Sequence, residues 1–154
     1  MLTPDEPEFL LENNPVYNLI NSASAYRREM SAALKQMGTD FSHWRILMLL
    51  ELKDPCSISE LSERSVVKMS TITRTIMRMT EIGLVTRTTS PEDRRVTMVH
   101  LTEDAKEKMV LFHKVAERIS DRAMLGMNHE GIDSLTAQLK KIQQNLSQSP
   151  YLDN

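Results

Sequence analysis

The sequence predicts a mainly α fold with a small β-hairpin wing, in which a winged helix-turn-helix module is flanked by N- and C-terminal dimerisation helices. Apolar residues recur at alternating spacings of three and four at both ends of the chain, a pattern typical of packed helices. Glycine and proline are scarce, 4 and 6 of 154 residues, so few positions interrupt helices. Between residues 84 and 101 the pattern turns threonine-rich and β-branched around a turn cluster, which favours a hairpin.

Three helices are predicted before the central segment. Pro15 suits the first turn of a long helix, which Gly38 ends. Ser42 is the predicted N-cap of a second helix, HWRILMLLEL, whose nearly continuous apolar surface predicts burial on most sides. Ser57 and Glu60 match the capping-box pattern, so a short third helix begins there.

The next stretch, MSTITRTIMRM at 69–79, predicts an amphipathic helix that ends at Gly83. Ile72, Ile76 and Met79 share one face, which can pack on a core. The opposite face collects hydroxyls and guanidiniums, on Thr71, Arg74, Thr75 and Arg78. Together with the short helix before it and a turn at 65–67, this helix matches a helix-turn-helix.

A hairpin and two more helices complete the pattern. LVTRTTS and RVTMVHL read as strands, and SPEDR between them reads as a charged turn. Thr102 is predicted to cap the following helix, and a last helix follows Gly126 and Asn128. The long helices at both ends have narrow apolar stripes that a second copy of the chain would cover, so we expect a homodimer.

These elements divide the chain into four parts. We expect an acidic segment and dimerisation helix over 1–40, a winged helix-turn-helix module over 41–102, C-terminal dimerisation helices over 103–148 and a loose tail over 149–154.

Charge is nearly balanced overall, with 19 Lys+Arg against 21 Asp+Glu, but it is unevenly distributed. The segment from Arg64 to Arg95 contains seven basic residues and three acidic residues. This basic segment could bind the phosphate backbone of a nucleic acid, or it could be an ordinary charged surface exposed to solvent.

The sequence argues against several other classes of protein. A single cysteine, Cys56, excludes an internal disulfide framework and suits a cytoplasmic location. The apolar run at 46–50 is far short of the ~20 residues of a membrane span, and the N-terminus does not resemble a secretory signal. Metal-ligand spacings, phosphate loops and nucleophile–base pairs are not recognisable, so we expect no metal, no cofactor and no enzymatic activity.

From about Val16 to Leu146 the sequence resembles the MarR family of winged helix-turn-helix transcription regulators. The resemblance is most specific over residues 57–105, where a capped short helix, a recognition helix ending in G-L-V, a wing with D-x-R and an L-T opening the next helix follow the family's order. It implies a sequence-specific regulator that binds double-stranded DNA as a homodimer on a pseudo-palindromic operator. A ligand-responsive repressor is the family's usual form, although activation also occurs in the family.

Seven predicted DNA contacts lie in or beside the recognition helix: Lys68, Ser70, Thr71, Thr73, Arg74, Thr75 and Arg78. The outward face would enter the major groove, where arginine forks to guanine and threonine meets a hydroxyl partner or a thymine methyl. Ser70 and Thr73, with Lys68 beside them, would hold phosphate near the helix start.

Four further contacts are predicted in the wing. The resemblance implies that Asp93 orients Arg95 into the minor groove, while Arg94 and Arg87 would serve the DNA backbone. Taken alone, the SPEDRR turn is better explained as a soluble hairpin tip with an internal ion pair, and beside the recognition helix it favours DNA.

The resemblance also implies a small effector near the junction of dimerisation helices and DNA-binding module. We place Tyr26, His43, Trp44 and Arg45 there, since an aromatic and a basic group together could hold a small aromatic or carboxylate compound. The interpretation without a ligand is favoured, with Trp44 as an ordinary core residue and His43 as a partly exposed residue at a helix start, because buried aromatic residues need no ligand to explain them. We interpret Cys56 as a structural or incidental thiol, because nearby acids raise the pKa of a thiol.

A winged-helix module that binds another protein is the alternative function. A protein interface is expected to present aromatic or aliphatic anchors, whereas the predicted outward face consists of threonine and arginine. This composition favours DNA.

Overall fold

The computed structural model describes residues 11–147 of the chain. A short 3-10 turn at Leu11–Asn13 is followed by six helices and three strands in the order α1 (Pro15–Gln36), α2 (Phe41–Leu52), β1 (Cys56–Ser57), α3 (Ile58–Ser65), α4 (Met69–Glu81), β2 (Val85–Thr89), β3 (Thr97–Leu101), α5 (Glu103–Ala123) and α6 (His129–Leu146). The predicted mainly α fold with a β-hairpin is confirmed. The predicted loose tail and the acidic residues before Leu11 lie outside the described residues.

The strands form one antiparallel sheet in the order β1-β3-β2. In the hairpin, register runs from Val85 opposite Leu101 to Thr89 opposite Thr97. The sequence predicted only this hairpin, but Cys56 and Ser57 add a third strand by pairing with β3. A two-residue strand has no readable alternation, and Ser57 also caps a helix, so its pattern pointed to the helix alone.

The described residues form two compact units, which divide after Ile119. The first contains one core, to which α1, α2, α3, α4, the sheet and α5 all contribute. The predicted burial of α2 is confirmed from His43 to Leu50, where no side chain is exposed, whereas Glu51 and Leu52 at the end of the helix are exposed. In the second unit α6 has no fully buried side chain. No helix within 11–147 is long and apolar enough to cross a membrane.

Helix caps set the boundaries around the central module. The predicted capping box of α3 is confirmed: Glu60 N donates to Ser57 Oγ at 3.2 Å, and Ser57 N donates to the Glu60 carboxylate at 2.9 Å. Thr102 caps α5 as predicted, by accepting from Ala105 N, and its hydroxyl also donates to Gly83 O at 2.7 Å. This second bond ties the start of α5 to the end of α4.

The predicted N-cap of α2 was wrong. Asp40, not Ser42, caps the helix, because its carboxylate accepts from Ser42 N at 2.7 Å and from His43 N at 2.9 Å. The helix therefore begins at Phe41, whose ring packs 5.2 Å from that of Trp44. A carboxylate at the N-cap also complements the helix dipole, which a serine hydroxyl does not.

Candidate nucleic-acid interface

The second helix of the helix-turn-helix, α4, is anchored by one buried face. Ile76 and Met79 are fully buried and Ile72 is 3% exposed. Burying side chains of this size stabilises a fold by about 1.5–3 kcal/mol each. Three such contacts at helical spacing fix the rotation of α4 about its axis, and therefore decide which residues face solvent.

Five of the seven predicted helix contacts are exposed: Lys68, Ser70, Thr71, Arg74 and Arg78. Thr73 and Thr75 are instead half-buried, and their hydroxyls donate at 2.9 Å to the carbonyls four residues earlier. A hydroxyl that gives its proton to its own helix offers a ligand only lone pairs and a methyl group. In this conformation Thr73 has no proton for a phosphate, contrary to its expected role.

The start of α4 is open to an anion. Lys68 is its N-cap residue and makes no side-chain cap bond. The first N–H groups of a helix have no partners inside the helix, and the dipole gives this end partial positive charge. Together with the Lys68 ammonium, these groups can bind a phosphate oxygen.

Sequence reasoning missed three exposed apolar side chains at this surface. Val66 in the turn is 87% exposed, Met69 at the start of α4 is 53% exposed and Met77 is 48% exposed. Periodicity assigns apolar residues to a core, so it gave no reason to expect them outside. One signal was available for Met77, which lies three positions after Arg74 and therefore on the same side of the helix.

In the wing, Asp93 and Arg95 form the pair that the D-x-R motif implied. Asp93 Oδ1 accepts from the Arg95 backbone N at 2.9 Å and from Nε at 3.2 Å, and Oδ2 accepts from Nη2 at 3.1 Å. The hydrogen bonds from Arg95 hold the pKa of Asp93 below its ordinary value. The Arg95 side chain stays 90% exposed, so it can contact a further partner while bound to Asp93.

The other wing residues are also open to solvent. Arg94 is exposed beside Arg95, and Arg87 is exposed on β2, where every residue from Thr86 to Thr89 is exposed. These guanidiniums give the wing the same sign of charge as α4. The predicted contacts therefore lie on two exposed basic elements of one compact unit.

A cleft of about 100 Å³ lies beside α4 and is lined by residues of α1, α2 and α4. Its lining includes Arg27, Phe41, Arg45, Ser65, Thr71 and Thr75. The Arg27 guanidinium lies 5.4 Å from the centre of the Phe41 ring, a cation–π contact. No acidic residue is among the described lining, so two guanidiniums make the cleft positive, and its volume suits a single small ring.

Of the four predicted effector residues, the structure brings only Arg45 into this cleft. Tyr26 and Trp44 are half-buried against the core, and His43 Nδ1 lies 3.6 Å from Asp40 Oδ2. The sequence missed Arg27 and Phe41, which belong to different helices. Nothing in the sequence singled out Arg27, because a charged residue on a long helix is ordinarily interpreted as exposed to solvent.

Cys56 is fully buried, and its Sγ lies 3.6 Å from Glu60 Oε2. Burial first, and then the neighbouring Glu60 carboxylate, raise the pKa of the thiol. A raised pKa keeps the group as the unreactive thiol at neutral pH.

The sequence model of the MarR family matches residues 42–97, the span from α2 to the start of β3. The HTH-type transcriptional repressor IacR of Pseudomonas putida is 34% identical over 143 residues, covering 93% of this chain and 86% of that protein. The chain belongs to the MarR family. It is a DNA-binding transcriptional regulator and not an enzyme, as the sequence predicted.

Solved structures of other proteins share its fold. BpsR of Bordetella bronchiseptica, described for regulation of its DNA binding by 6-hydroxynicotinic acid, superposes with a TM-score of 0.79 at 18% identity, over 88% of this chain and 96% of that one. A mutant MarR from E. coli complexed with operator DNA gives 0.76 at 20% identity, over 88% and 98%. The winged helix-turn-helix of this MarR-family chain is therefore confirmed at the level of fold.

Proposed function

We propose that this MarR-family chain is a homodimeric repressor that reads a two-fold operator with α4 and the wing, and releases it when a small aromatic carboxylate binds in the cleft beside α4. The observation that supports DNA reading most strongly is the placement of Arg74 and Arg78 on the exposed face of a helix whose other face is fully buried. We assign DNA binding to residues 41–102 and dimerisation to the helices on both sides.

In this proposal α4 lies in the major groove. Arg74 and Arg78 donate to guanine edges, and Thr71 and Thr75 add hydroxyl and methyl contacts. Ser70 and Lys68, at the open helix start, bind phosphate, and Thr73 contributes there only if its hydroxyl leaves its helix carbonyl. These backbone contacts set the register of the helix without carrying sequence information.

The wing contacts the minor groove through Arg95. A narrow groove concentrates negative potential, which favours a guanidinium already oriented by Asp93. Arg87 and Arg94 bind the flanking phosphates.

Homodimer formation is supported by the exposed apolar start of α1. Val16, Tyr17 and Ile20 are 48%, 40% and 59% exposed, and only Met30 and Leu34 of this 22-residue helix are buried. Such a surface is expected to be covered by a partner, and a second copy of the chain is the partner that two-fold symmetry favours. The two recognition helices would then lie ~34 Å apart, so the operator would be an imperfect palindrome.

Dimerisation can be tested with a charge at this surface. Ile20→Glu should yield a monomer by light scattering and lose operator affinity, while Ser22→Glu on the other side of α1 should stay dimeric. A dimeric Ile20→Glu variant would contradict the role of this surface.

The proposed effector site is the cleft of Arg27, Phe41 and Arg45. Two guanidiniums can pair with a carboxylate and the Phe41 ring can contact an aromatic ring. Because Thr71 and Thr75 line the same cleft, a ligand there touches the recognition helix directly. Benzoate and nicotinate should raise Tm and release DNA, and Arg45→Gln should abolish both effects while keeping DNA binding. Compounds that act equally on wild type and Arg45→Gln would place the effector elsewhere.

DNA reading is tested by selecting bound duplexes from a random pool and measuring the salt dependence of binding. A recovered two-fold motif whose affinity falls steeply with salt is the expected result. A protein that enriches no motif, yet binds a protein partner through α4, would contradict the proposal and favour the protein-interaction alternative.

A further inference from the structure

The turn between α3 and α4 holds a valine in a conformation that valine disfavours. Val66 has φ 53° and ψ 42°, the left-handed region, and is the one non-glycine residue with positive φ among residues 11–147. For an L-residue this region is unfavourable because Cβ crowds the following carbonyl, and a β-branched side chain there is an outlier. Glycine, which ends α1 and α4 in the same region at Gly38 and Gly83, would be the low-energy choice.

The surrounding hydrogen bonds hold this conformation. Val66 N donates to Glu63 O at 3.1 Å, and Val67 N donates to Ser62 O at 3.2 Å. The Ser62 hydroxyl returns a bond to Val67 O at 2.7 Å. The next side chain, Val67, packs against the core. The backbone is therefore fixed from both sides, and the unfavourable residue persists because the turn leaves it no alternative.

Core packing does not explain why a valine occupies this position, because its side chain is 87% exposed. It lies three residues before Met69, which is 53% exposed at the first position of α4. Two exposed basic residues are close to these side chains in sequence. Arg64 precedes Val66, and Lys68 lies between Val66 and Met69. An apolar tip between cationic side chains fits a surface that is apolar at its centre and anionic at its edges.

The major groove of DNA is such a surface, since thymine 5-methyl groups lie on its floor between two phosphate backbones. In helix-turn-helix proteins the N-terminal residues of the recognition helix contact the base edges. Val66 lies in the turn before α4 and Met69 is the first residue of α4, so both lie at that end of the helix, next to the proposed contact Ser70.

We propose that Val66 and Met69 are specificity-determining residues that recognise thymine methyl groups at the operator, an inference that rests on the proposed DNA-reading function. The cost of the left-handed valine is retained because its branched side chain contacts a methyl group that glycine could not reach. This assigns part of the sequence preference to apolar contacts, beside the guanidinium contacts of Arg74 and Arg78.

The test replaces thymine by uracil, one position at a time, in the operator recovered by selection. Uracil keeps the hydrogen-bonding edge and lacks only the 5-methyl group. Wild type should lose about fourfold in affinity for each methyl contacted, the loss expected for one buried CH₂-sized group. In Val66→Gly and Met69→Gln this thymine–uracil difference should disappear at the matching positions. Leu52→Ala, at an apolar residue that is 77% exposed at the end of α2, should behave as wild type.

Stability provides a second readout with the opposite sign. Val66→Gly should raise Tm by about 2–4 °C, because glycine relieves the unfavourable conformation, while operator discrimination falls. Folding failure therefore cannot account for its DNA phenotype. Wild type that binds thymine and uracil operators equally, or a difference that persists at every position in both variants, would overturn the inference and leave operator reading intact. Absence of any preferred sequence would instead overturn the proposed function itself.

Discussion

The Asp93 carboxylate binds Arg95 at three points, the backbone N at 2.9 Å, Nε at 3.2 Å and Nη2 at 3.1 Å. The two residues are separated by one position, so the carboxylate closes a small ring at the tip of the wing. A surface ion pair of this kind adds little stability. Its effect is to restrict an otherwise freely rotating arginine before DNA arrives, which lowers the ordering cost of binding.

Asp93→Asn should weaken DNA binding although it removes a negative charge from the DNA-facing wing. Simple electrostatics predicts tighter binding for this change, whereas loss of the Arg95 orientation predicts weaker binding. Affinity for operator and for scrambled duplex, measured by fluorescence anisotropy, should fall for both. Glu92→Gln removes the neighbouring exposed carboxylate, which has no such bonds to Arg95, and should bind DNA slightly more tightly. Tighter binding by both variants would reject the positioning role of Asp93.

Glu60 should make the module pH-sensitive only in strong acid. Its pKa is lowered from 4.5 to about 2, first by the hydrogen bond from Lys53 and then by those from Ser57. Because the folded pKa lies below the unfolded one, the stabilisation is complete above about pH 4.5 and is lost as pH falls toward 2. Glu60→Gln should therefore lower Tm at pH 7, and its difference from wild type should shrink between pH 4.5 and 2.

The matched control for Glu60 is Glu63→Gln, a change to an exposed carboxylate one turn further along α3. It should leave Tm nearly unchanged at every pH. A Glu60→Gln deficit that stays constant down to pH 2 would show that packing, not the charged capping box, stabilises this helix.

Cys56 should be unreactive in the folded protein. Full burial excludes reagents, and its raised pKa keeps the thiolate scarce. A disulfide reagent at pH 7 should modify it far more slowly than in urea, and hydrogen peroxide should leave operator binding unchanged. Rapid formation of a sulfenic acid accompanied by DNA release would contradict this.

The elements that could be predicted from the sequence are those whose signals are local. Ile72, Ile76 and Met79 repeat at helical spacing and are the residues that anchor α4. Ser57 with Glu60, and Thr102 before an acidic first turn, are caps that require only neighbouring residues. The Asp93–Arg95 pair is likewise contained within three positions.

The features that could not be predicted depend on residues distant in sequence or on local competition. Asp40 and Ser42 are both residue types that cap helices, and the sequence does not show which of the two positions begins the helix. The effector cleft joins Arg27 with Thr71 and Thr75, which only the folded core brings together. The exposure of Val66 could not be predicted, because the spacing of apolar residues indicates which face of a helix is buried and says nothing of the conformation of a turn.

The central claim, that the exposed face of α4 reads bases, is tested most directly by the ratio of operator to scrambled-duplex affinity in Arg74→Ala. Loss of one bidentate base contact, worth about 1–3 kcal/mol, should reduce this ratio roughly 5- to 150-fold. Arg95→Ala should weaken both affinities and leave the ratio nearly unchanged, and Arg118→Ala, at an exposed arginine of α5, should change neither. An Arg74→Ala variant that keeps the wild-type ratio would contradict the account.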